Sequence, residues 1–386
     1  MSRWASVQLY LDHAATTPVR REVLEAMWPY LTGEFGNPSS HHEMGRTASV
    51  AVADARATVA RWLDCRPAEV VFTSGGTEGD NLALLGIARA MPRGRHVVIS
   101  AIEHPAVSES ADFLARHHGF EVSRVGVDSA GLVDPEEFAR ALRPETTIAS
   151  VMLANNEMGA VQPLRELATR ASERGIPFHT DAVQAAGWLD IAVSSLGVDA
   201  LTMSGHKLGA PKGIGAVFLR SGLPIEPLIH GGGQERARRS GTENVAGIVG
   251  LATAIELAES DRLDRVERVT RTRDAFIDRV LATVPGAILT GPRTERLAGS
   301  ASFCFPRTSG EAVLLRLEER GVTCSSGSAC AAGSDDPSPV LLAMGIAPEV
   351  AQTAVRFTFG GEATDSQLED VAGALAVAVA AVSSLA

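Results

Sequence analysis

Two short stretches of the chain decide its fold: His179-Thr180-Asp181-Ala182-Val183-Gln184 and Ser204-Gly205-His206-Lys207. Each follows an apolar run that predicts a strand, with Phe178 leading into the first stretch and residues 198–203 into the second. The chain between Asp181 and Lys207 is long enough for one helical crossover between neighbouring parallel strands. Such a crossover would place both side chains at the carboxyl ends of their strands, where open α/β sheets bind ligands.

The sequence around these stretches alternates between predicted strands and predicted helices. Short runs rich in β-branched residues at 97–100, 148–153 and 215–219 predict strands, whereas apolar periodicity at 77–90 and 163–174 predicts helices. Alternation of this kind favours an α/β fold whose mostly parallel sheet is covered on both faces.

A chain of 386 residues is too long for one simple core, so two domains are expected. A helical pattern from about Asn244 through Glu259 to Val280 would carry the chain into the second domain. We predict a large α/β domain over residues 15–260 and a small α+β domain formed by residues 1–14 and 261–386. The elements predicted for the small domain are a strand at 301–305, a helix at 310–320 and a strand at 354–359.

The charge balance argues against nucleic-acid and membrane binding. The formal net charge of −11 disfavours broad electrostatic attachment to nucleic acid or to anionic lipid. The apolar stretch from Val371 to Leu385 is alanine-rich and shorter than the roughly 20 strongly apolar residues that span a bilayer. It predicts a packed amphipathic helix.

The four cysteines, Cys65, Cys304, Cys324 and Cys330, have neither CxxC spacing nor the density of a disulfide-rich secreted protein. The first residues, 1–7, are polar and predict no secretory signal. A reducing cytoplasm is therefore the expected compartment.

The chemistry of Lys207 and Asp181 suggests a cofactor. A lysine at a strand end could form a Schiff base, and a neighbouring aspartate could hold a protonated pyridine nitrogen. Pyridoxal 5′-phosphate (PLP) requires this pairing from a protein. Either residue alone would also suit a solvated surface lysine or a helix-capping aspartate.

Further candidate contacts follow other strands. Residues 72–78 predict a strand, a glycine turn and a helix start, where amides and hydroxyls could cradle a phosphate; Thr77 could instead be a helix cap. His104 follows the strand at 97–100 and could stack on a pyridine face or serve as a hydrogen-bonded structural residue. Asn156 follows the strand that ends at Leu153, and its amide could donate to a phenolate or a carboxylate.

Together these residues resemble the cysteine desulfurases, PLP enzymes of aminotransferase class V, over nearly the whole chain. The subgroup that they resemble carries a long Ser-Ser-Gly-Ser-Ala-Cys loop. The matching segments are residues 10–18, 36–40, 73–81, 103–104, 155–159, 179–184, 204–215, 231–244, 325–330 and 356–360. The resemblance implies the PLP-dependent transferase fold of type I, with a mostly parallel seven-stranded sheet.

The resemblance also implies roles for individual residues. Lys207 would form the Schiff base and remove the α-proton of the substrate, L-cysteine. Arg356 would bind the substrate carboxylate through its planar fork, with Asn37 and Asn156 as helpers. Thr242 would reach the phosphate of a neighbouring subunit, which implies a homodimer. The residues implied around the cofactor are Gly76, Thr77, His104, Asn156, Asp181, Gln184, Ser204, His206, Lys207 and Thr242.

Cys330 is the candidate sulfur acceptor on the enzyme. It lies in a stretch rich in Gly, Ser, Asp and Pro, about residues 323–338, which predicts a mobile surface loop. As a thiolate it would attack the substrate sulfur and carry it away as a persulfide. An acceptor protein, either an iron–sulfur scaffold or a thiolation enzyme, would receive the sulfur. Cys324 is interpreted as structural.

Other functions remain open at this point. A selenocysteine lyase or another PLP-dependent C–S lyase of the same fold would need Lys207 but not Cys330. A non-catalytic sulfur-carrier scaffold would have no use for Lys207 and Asp181 together. A nicotinamide dehydrogenase would need a GxGxxG turn with an acidic residue further along, which the chain lacks. No metal site is predicted.

Two glycines depart from the family pattern. Gly76 and Gly79 stand where family members often carry Ala and Ser. Both changes reduce the side chain, so we expect them to preserve the amide cradle. Thr358 also stands where Ser is commoner, which is a mild change.

Overall fold

The computed structural model describes residues 9–327 and 336–384. The strands are β1 Leu9–Tyr10, β2 Val70–Thr73, β3 His96–Ser100, β4 Glu121–Val125, β5 Thr146–Ser150, β6 Phe178–Asp181, β7 Ala200–Ser204, β8 Gly215–Leu219, β9 Ile288–Leu289, β10 Ser300–Cys304, β11 Val322–Thr323 and β12 Ala354–Thr358. The helices are α1 Arg21–Thr32, α2 Glu43–Trp62, α3 Gly76–Ala90, α4 Pro105–His118, α5 Pro135–Ala141, α6 Leu164–Ser172, α7 Val193–Leu196, α8 Val245–Ser260, α9 Arg262–Thr283, α10 Gly310–Glu318, α11 Pro339–Ala343, α12 Pro348–Ala351 and α13 Asp365–Ser383.

The largest sheet in the described part of the chain has seven strands in the order β2-β8-β7-β6-β5-β3-β4. β8 is antiparallel to both of its neighbours, and the other adjacent pairs are parallel. Between β6 and β7 the chain crosses over through α7, with His179 opposite Ala200. The predicted mostly parallel, seven-stranded α/β fold is confirmed.

Helices cover both faces of this sheet because its strands are apolar on both faces. In β8, Val217 packs with apolar side chains of α3 and α4, whereas the adjacent Phe218 packs with those of α2, α6 and α8. Successive strand residues point to opposite faces, so a continuous apolar run needs two covering layers.

A second core lies outside the large sheet. β10 pairs with β9 and β12 in an antiparallel sheet, and β1 pairs with β11. Phe276 of α9 makes edge contacts with Phe303 and Phe357 of this sheet, and α13 packs against the same cluster. These separate cores favour two domains, and we propose residues 15–260 as one and residues 1–14 with 261–386 as the other.

Several element boundaries differ from the sequence prediction, and two of these differences have a clear structural cause. The helical pattern from Asn244 to Val280 is two helices, because Asp261 leaves helical geometry at φ −122° and ψ 10°. Arg265 stabilises the break by donating to the Ala258 carbonyl at 2.9 Å. The C-terminal helix begins at Asp365, earlier than predicted, since Thr364 and Gln367 form a capping box before it.

Among the described residues, α13 is the one helix long and apolar enough to cross a membrane by length and composition. Its side chains Leu368, Leu375 and Val382 are buried in the second core against α9. This is the environment of a core helix.

Candidate active site

A cavity of about 520 Å³ lies beyond the carboxyl ends of the central strands. Asp181 is the last residue of β6, and Lys207 lies in a short 3₁₀ turn directly after β7. The sequence-predicted residues that line this cavity together are Gly76, Thr77, His104, Asn156, Asp181, Gln184, Ser204, His206, Lys207 and Arg356.

Lys207 is held in place by the segment that follows β1. Its ammonium donates hydrogen bonds to the carbonyls of Ala14 and Ala15, the latter at 2.8 Å. The Gln184 amide donates to the same Ala14 carbonyl at 3.0 Å. Two backbone carbonyls therefore aim the Lys207 amine at the cavity that Asp181 also lines.

Asp181 is only 5% exposed, and its Oδ1 accepts a hydrogen bond from the Val183 amide at 2.8 Å. Burial raises the pKa of Asp181, and the nearby His104 and Lys207 oppose that shift.

Burial also lowers the pKa of His104. The imidazole of His104 accepts a hydrogen bond from the Ala106 amide at 3.1 Å and so caps α4. Both alternatives predicted for His104, stacking on a pyridine ring and serving as a hydrogen-bonded structural residue, are compatible with this position.

The start of α3 forms one wall of the cavity. The helix begins at Gly76, so Thr77 is not its cap. A Cβ atom at residue 76 would lie 2.8 Å from Val183 Cγ2, so glycine lets this turn approach the segment after β6 closely. The first amides of a helix have no intrahelical partner and bind anions readily. The Ser204 side chain faces the same wall and is buried.

His206 also lines this end of the cavity, and an Arg239–Glu78 ion pair lies on the first turn of α3. Burial lowers the pKa of His206 to about 4, which leaves its imidazole neutral, and its Nδ1 lies 3.1 Å from the Thr16 hydroxyl. Arg239 donates to the Glu78 carboxylate of α3 at 2.8 Å. Although burial would raise the pKa of Glu78, the hydrogen bonds from Arg239 and Ser74 lower it.

Arg356 also lines this cavity and is 1% exposed. Its Nη1 donates to the Asn156 carbonyl at 2.8 Å and to the Gly327 carbonyl at 3.1 Å. Its Nη2 donates to Asp12 Oδ1 at 2.7 Å. The buried Nε has no hydrogen-bond partner among the residues that the structure describes.

Two of the predicted site residues, Asn37 and Thr242, do not line this cavity. Asn37 and Thr242 are exposed, and the Asn37 side chain accepts a hydrogen bond from the Ser39 amide at 2.9 Å. Cys330 and half of its predicted loop, residues 328–335, lie outside the described residues.

The described cysteines are poor candidates for a thiolate. Burial raises the pKa of Cys65 to about 12 and that of Cys304 to about 11. Burial also raises the pKa of Cys324, with Asp12 adding to the shift. Each of these thiols keeps its proton at neutral pH, which fits a structural interpretation.

Sequence reasoning missed several groups that shape the site. Asp80 and Glu103 are buried carboxyls that line the cavity, and Asp12 pairs with Arg356. A signal for Asp80 exists, because it follows Gly76 by one helical turn and so lies on the same face of α3. The partner of Arg356 is 344 residues away in sequence, and no local pattern predicts it.

A second cavity, of about 510 Å³, lies on the other side of Lys207 and is lined in part by Arg20, Arg265 and Glu362. It lacks Asp181, His104 and the α3 cradle among its lining residues, so the first cavity is the candidate active site.

Known proteins share this arrangement of sequence and fold. The aminotransferase class-V family model matches residues 9–371. The cysteine desulfurase IscS of Dictyoglomus turgidum is 46% identical over 362 residues, covering 94% of this chain and 92% of that protein. The IscS of Methanosarcina thermophila is 45% identical over 364 residues, covering 94% of this chain and 90% of that protein.

Solved structures are similar as well. A NifS-like protein superposes with a TM-score of 0.90 at 34% identity, covering 97% of this chain and 99% of that chain. A structure of SspA in complex with cysteine superposes with a TM-score of 0.81 at 35% identity, covering 92% of this chain and 100% of that chain. The chain belongs to the cysteine desulfurase family of class-V aminotransferases.

Proposed function

We propose that this protein is a PLP-dependent cysteine desulfurase that converts L-cysteine to L-alanine and moves the sulfur onto Cys330 as a persulfide. One observation carries the proposal: Lys207 and Asp181, which follow neighbouring strands, line one cavity together with the α3 cradle and Arg356. The names of the relatives support the same activity.

The residues present fit PLP. The α3 amides, Thr77, Ser204 and His206 offer neutral donors for a phosphate, and Gly76 keeps that wall free of a Cβ atom. A buried carboxylate such as Asp181 is costly unless a cation meets it, and a protonated pyridine nitrogen is such a cation. Lys207 would hold the cofactor covalently, His104 would face its ring, and Gln184 and Asn156 would lie near its phenolic oxygen.

Bound PLP would supply a ring that accepts the electron pair left when the α-proton of cysteine is removed. Asp181 would keep the proton on the ring nitrogen. Lys207, aimed by the carbonyls of Ala14 and Ala15, would take the α-proton and later return it. Arg356 would bind the substrate carboxylate, and its unpartnered Nε is an available donor for that carboxylate.

Sulfur transfer needs a nucleophile, and we assign that role to Cys330. Its sulfur would bond to the substrate sulfur while the substrate Cβ–S bond breaks, leaving the electron pair on carbon, where a proton completes the alanine methyl group. The raised thiol pKa values of Cys65, Cys304 and Cys324 support this assignment. Gly327, which precedes the loop, lines the cavity and contacts Arg356.

The wider setting follows the family. We propose a cytoplasmic homodimer in which exposed Thr242 reaches the phosphate bound by the partner subunit, with Asn37 assisting at the substrate site. The persulfide would pass to an acceptor protein, either an iron–sulfur scaffold or a thiolation enzyme. The long Ser-Ser-Gly-Ser-Ala-Cys loop of residues 325–330 supports membership of the long-loop subgroup.

Borohydride trapping tests the cofactor assignment. We expect reduction of the purified protein to fix the cofactor on Lys207, detected by mass spectrometry of the peptide, and to remove the visible absorbance. Lys207→Ala should lose both signals, whereas Lys212→Ala, at an exposed lysine nearby, should keep both. A trapped cofactor on any other lysine would contradict the proposal.

A further inference from the structure

A second buried carboxyl lies beside the group proposed to bind the ring nitrogen. Asp80 of α3 is 1% exposed and lines the same cavity as Asp181. A carboxylate oxygen of Asp80, one of Asp181 and a ring nitrogen of His104 all lie within 4.8 Å of one another. That separation is short enough for strong repulsion between two buried negative charges, and one water molecule can bridge it.

The surroundings of the two carboxyls differ. Asp181 accepts a hydrogen bond from the Val183 amide and has His104 and Lys207 nearby, which all favour its charged form. Asp80 Oδ1 has no hydrogen-bond partner among the described residues. Two buried carboxyls this close cannot both ionise, and the one with fewer donors keeps the proton.

The other groups that face Asp80 do not neutralise it. His179 Nε2 lies 3.6 Å from Asp80 Oδ1, but burial lowers the pKa of His179 to about 3, so the ring is neutral. Its two ring nitrogens already meet the hydroxyls of Ser150 and Thr202. Glu103 adds a third buried carboxyl to the same cavity. Burial and the charges of Asp181 and Glu103 raise the pKa of Asp80, and only the Thr202 hydroxyl lowers it.

Close packing of α3 on β7 brings Asp80 to this position. A Cβ atom at Gly79 would lie 2.6 Å from Thr202 Cγ2, so glycine allows the helix to approach the strand.

We propose that Asp80 is a neutral acid held behind the ring-nitrogen site, a positioning residue that leaves the single negative charge of the pair on Asp181. This inference rests on the proposed function, in which Asp181 pairs with the ring nitrogen. The O–H group of neutral Asp80 is a donor toward Asp181. Because Asp80 carries no charge, Asp181 can stay ionised beside the ring nitrogen.

Infrared spectroscopy of the holoenzyme tests the protonation directly. Glu103, with a pKa raised to about 8, and Glu157 are further buried acids of this cavity whose pKa values are raised. Glu103→Gln is therefore the reference background, and the contribution of Asp80 is read from its difference spectrum against the double variant Glu103→Gln, Asp80→Asn. We expect this difference spectrum to contain a protonated-carboxyl band that shifts in D₂O. Absence of a difference band would show that Asp80 is ionised and would overturn the proposal.

The absorbance of the bound cofactor gives a second readout. Since asparagine mimics a neutral acid, Asp80→Asn should move the pH midpoint of the visible absorbance by less than about one unit, whereas Asp181→Asn should weaken cofactor binding by more than about tenfold. Equal damage from both variants would mean that Asp80 acts as an anion and would refute the proposal. A stoichiometric divalent metal retained by the protein would refute it too, because a metal ligand is ionised.

Failure of the proposed function is distinguishable from failure of this inference. If wild-type protein traps no cofactor on Lys207, the proposed function fails, but the infrared band still reports whether Asp80 is protonated.

Discussion

The guanidinium of Arg356 is surrounded by acceptors even before a substrate is considered. The carbonyls of Asn156 and Gly327 and the carboxylate of Asp12 occupy both terminal nitrogens. The fork is therefore held in one orientation, and a substrate carboxylate would meet a preorganised partner. Asp12 also balances the charge of this buried arginine when no substrate is bound.

Arg356→Lys tests this role. A lysine keeps the charge but loses the planar fork, so we expect the KM for L-cysteine to rise about ten- to a hundredfold. The visible absorbance of the bound cofactor should persist. Steady-state kinetics checks the first expectation, with Arg320→Lys at an exposed position as the control. A lower kcat at unchanged KM would argue against substrate binding by Arg356.

At the element scale, a short turn before Thr242 adopts an unusual backbone conformation. Glu235, Arg236 and Ala237 have φ values of 48°, 57° and 62°, which lie in the left-handed region disfavoured by non-glycine residues. Glu235 is held by two 2.7 Å bonds from Arg56 and one from the Phe72 amide. This buried pair fixes the turn against α2 and β2.

We predict that Glu235→Ala lowers the free energy of unfolding by about 3–5 kcal/mol, because it leaves the Arg56 charge buried without a partner. Urea unfolding measures the change. Glu25→Ala removes an exposed pair with Arg21 and should cost only about 0.3–0.5 kcal/mol. Equal losses from the two variants would show that the buried pair does not stabilise this turn.

The sequence predicts elements well where a pattern is local. The strand predicted at 215–219 is observed as Gly215–Leu219, and the helix predicted at 77–90 begins one residue earlier, at Gly76. The break at Asp261 was not predicted because apolar periodicity continues across it. Arg265, which stabilises the break by donating to the Ala258 carbonyl, also donates to the Gly187 carbonyl, and this tertiary contact has no local pattern.

The same distinction applies to the candidate site. Lys207 and Asp181 could be predicted because each follows its own strand. The ion pair of Asp12 with Arg356 could not, since it forms only when β1 pairs with β11 and the segment after β1 reaches β12. Asp80 carries a local signal, but the meaning of that signal depends on the distant Asp181.

At the scale of the whole molecule, the proposed dimer makes each site depend on two chains. Thr242 is exposed and does not line the cavity of its own chain, which suits a contact with the partner's phosphate. Arg239 of the same segment is anchored on Glu78 of α3. The segment from the strained turn to Thr242 is therefore attached to the cradle helix of its own chain.

Mixed dimers of Lys207→Ala and Thr242→Ala subunits test this arrangement. If Thr242 serves the partner's site, the Thr242→Ala subunit receives an intact threonine from the other chain, and the mixed dimer keeps one working site. Both homodimeric variants should be impaired. Alanine formation by differentially tagged, purified dimers measures this. No activity in the mixed dimer beyond that of the homodimers would place Thr242 in its own chain's site.

The most direct measurement compares wild type with Cys330→Ser for alanine and sulfide release from L-cysteine in the presence of a reductant. We predict that wild type releases equimolar alanine and sulfide. The Cys330→Ser variant should keep its bound cofactor but release neither alanine nor sulfide. Equal release by both proteins would contradict a persulfide on Cys330 and indicate a lyase that eliminates sulfur directly.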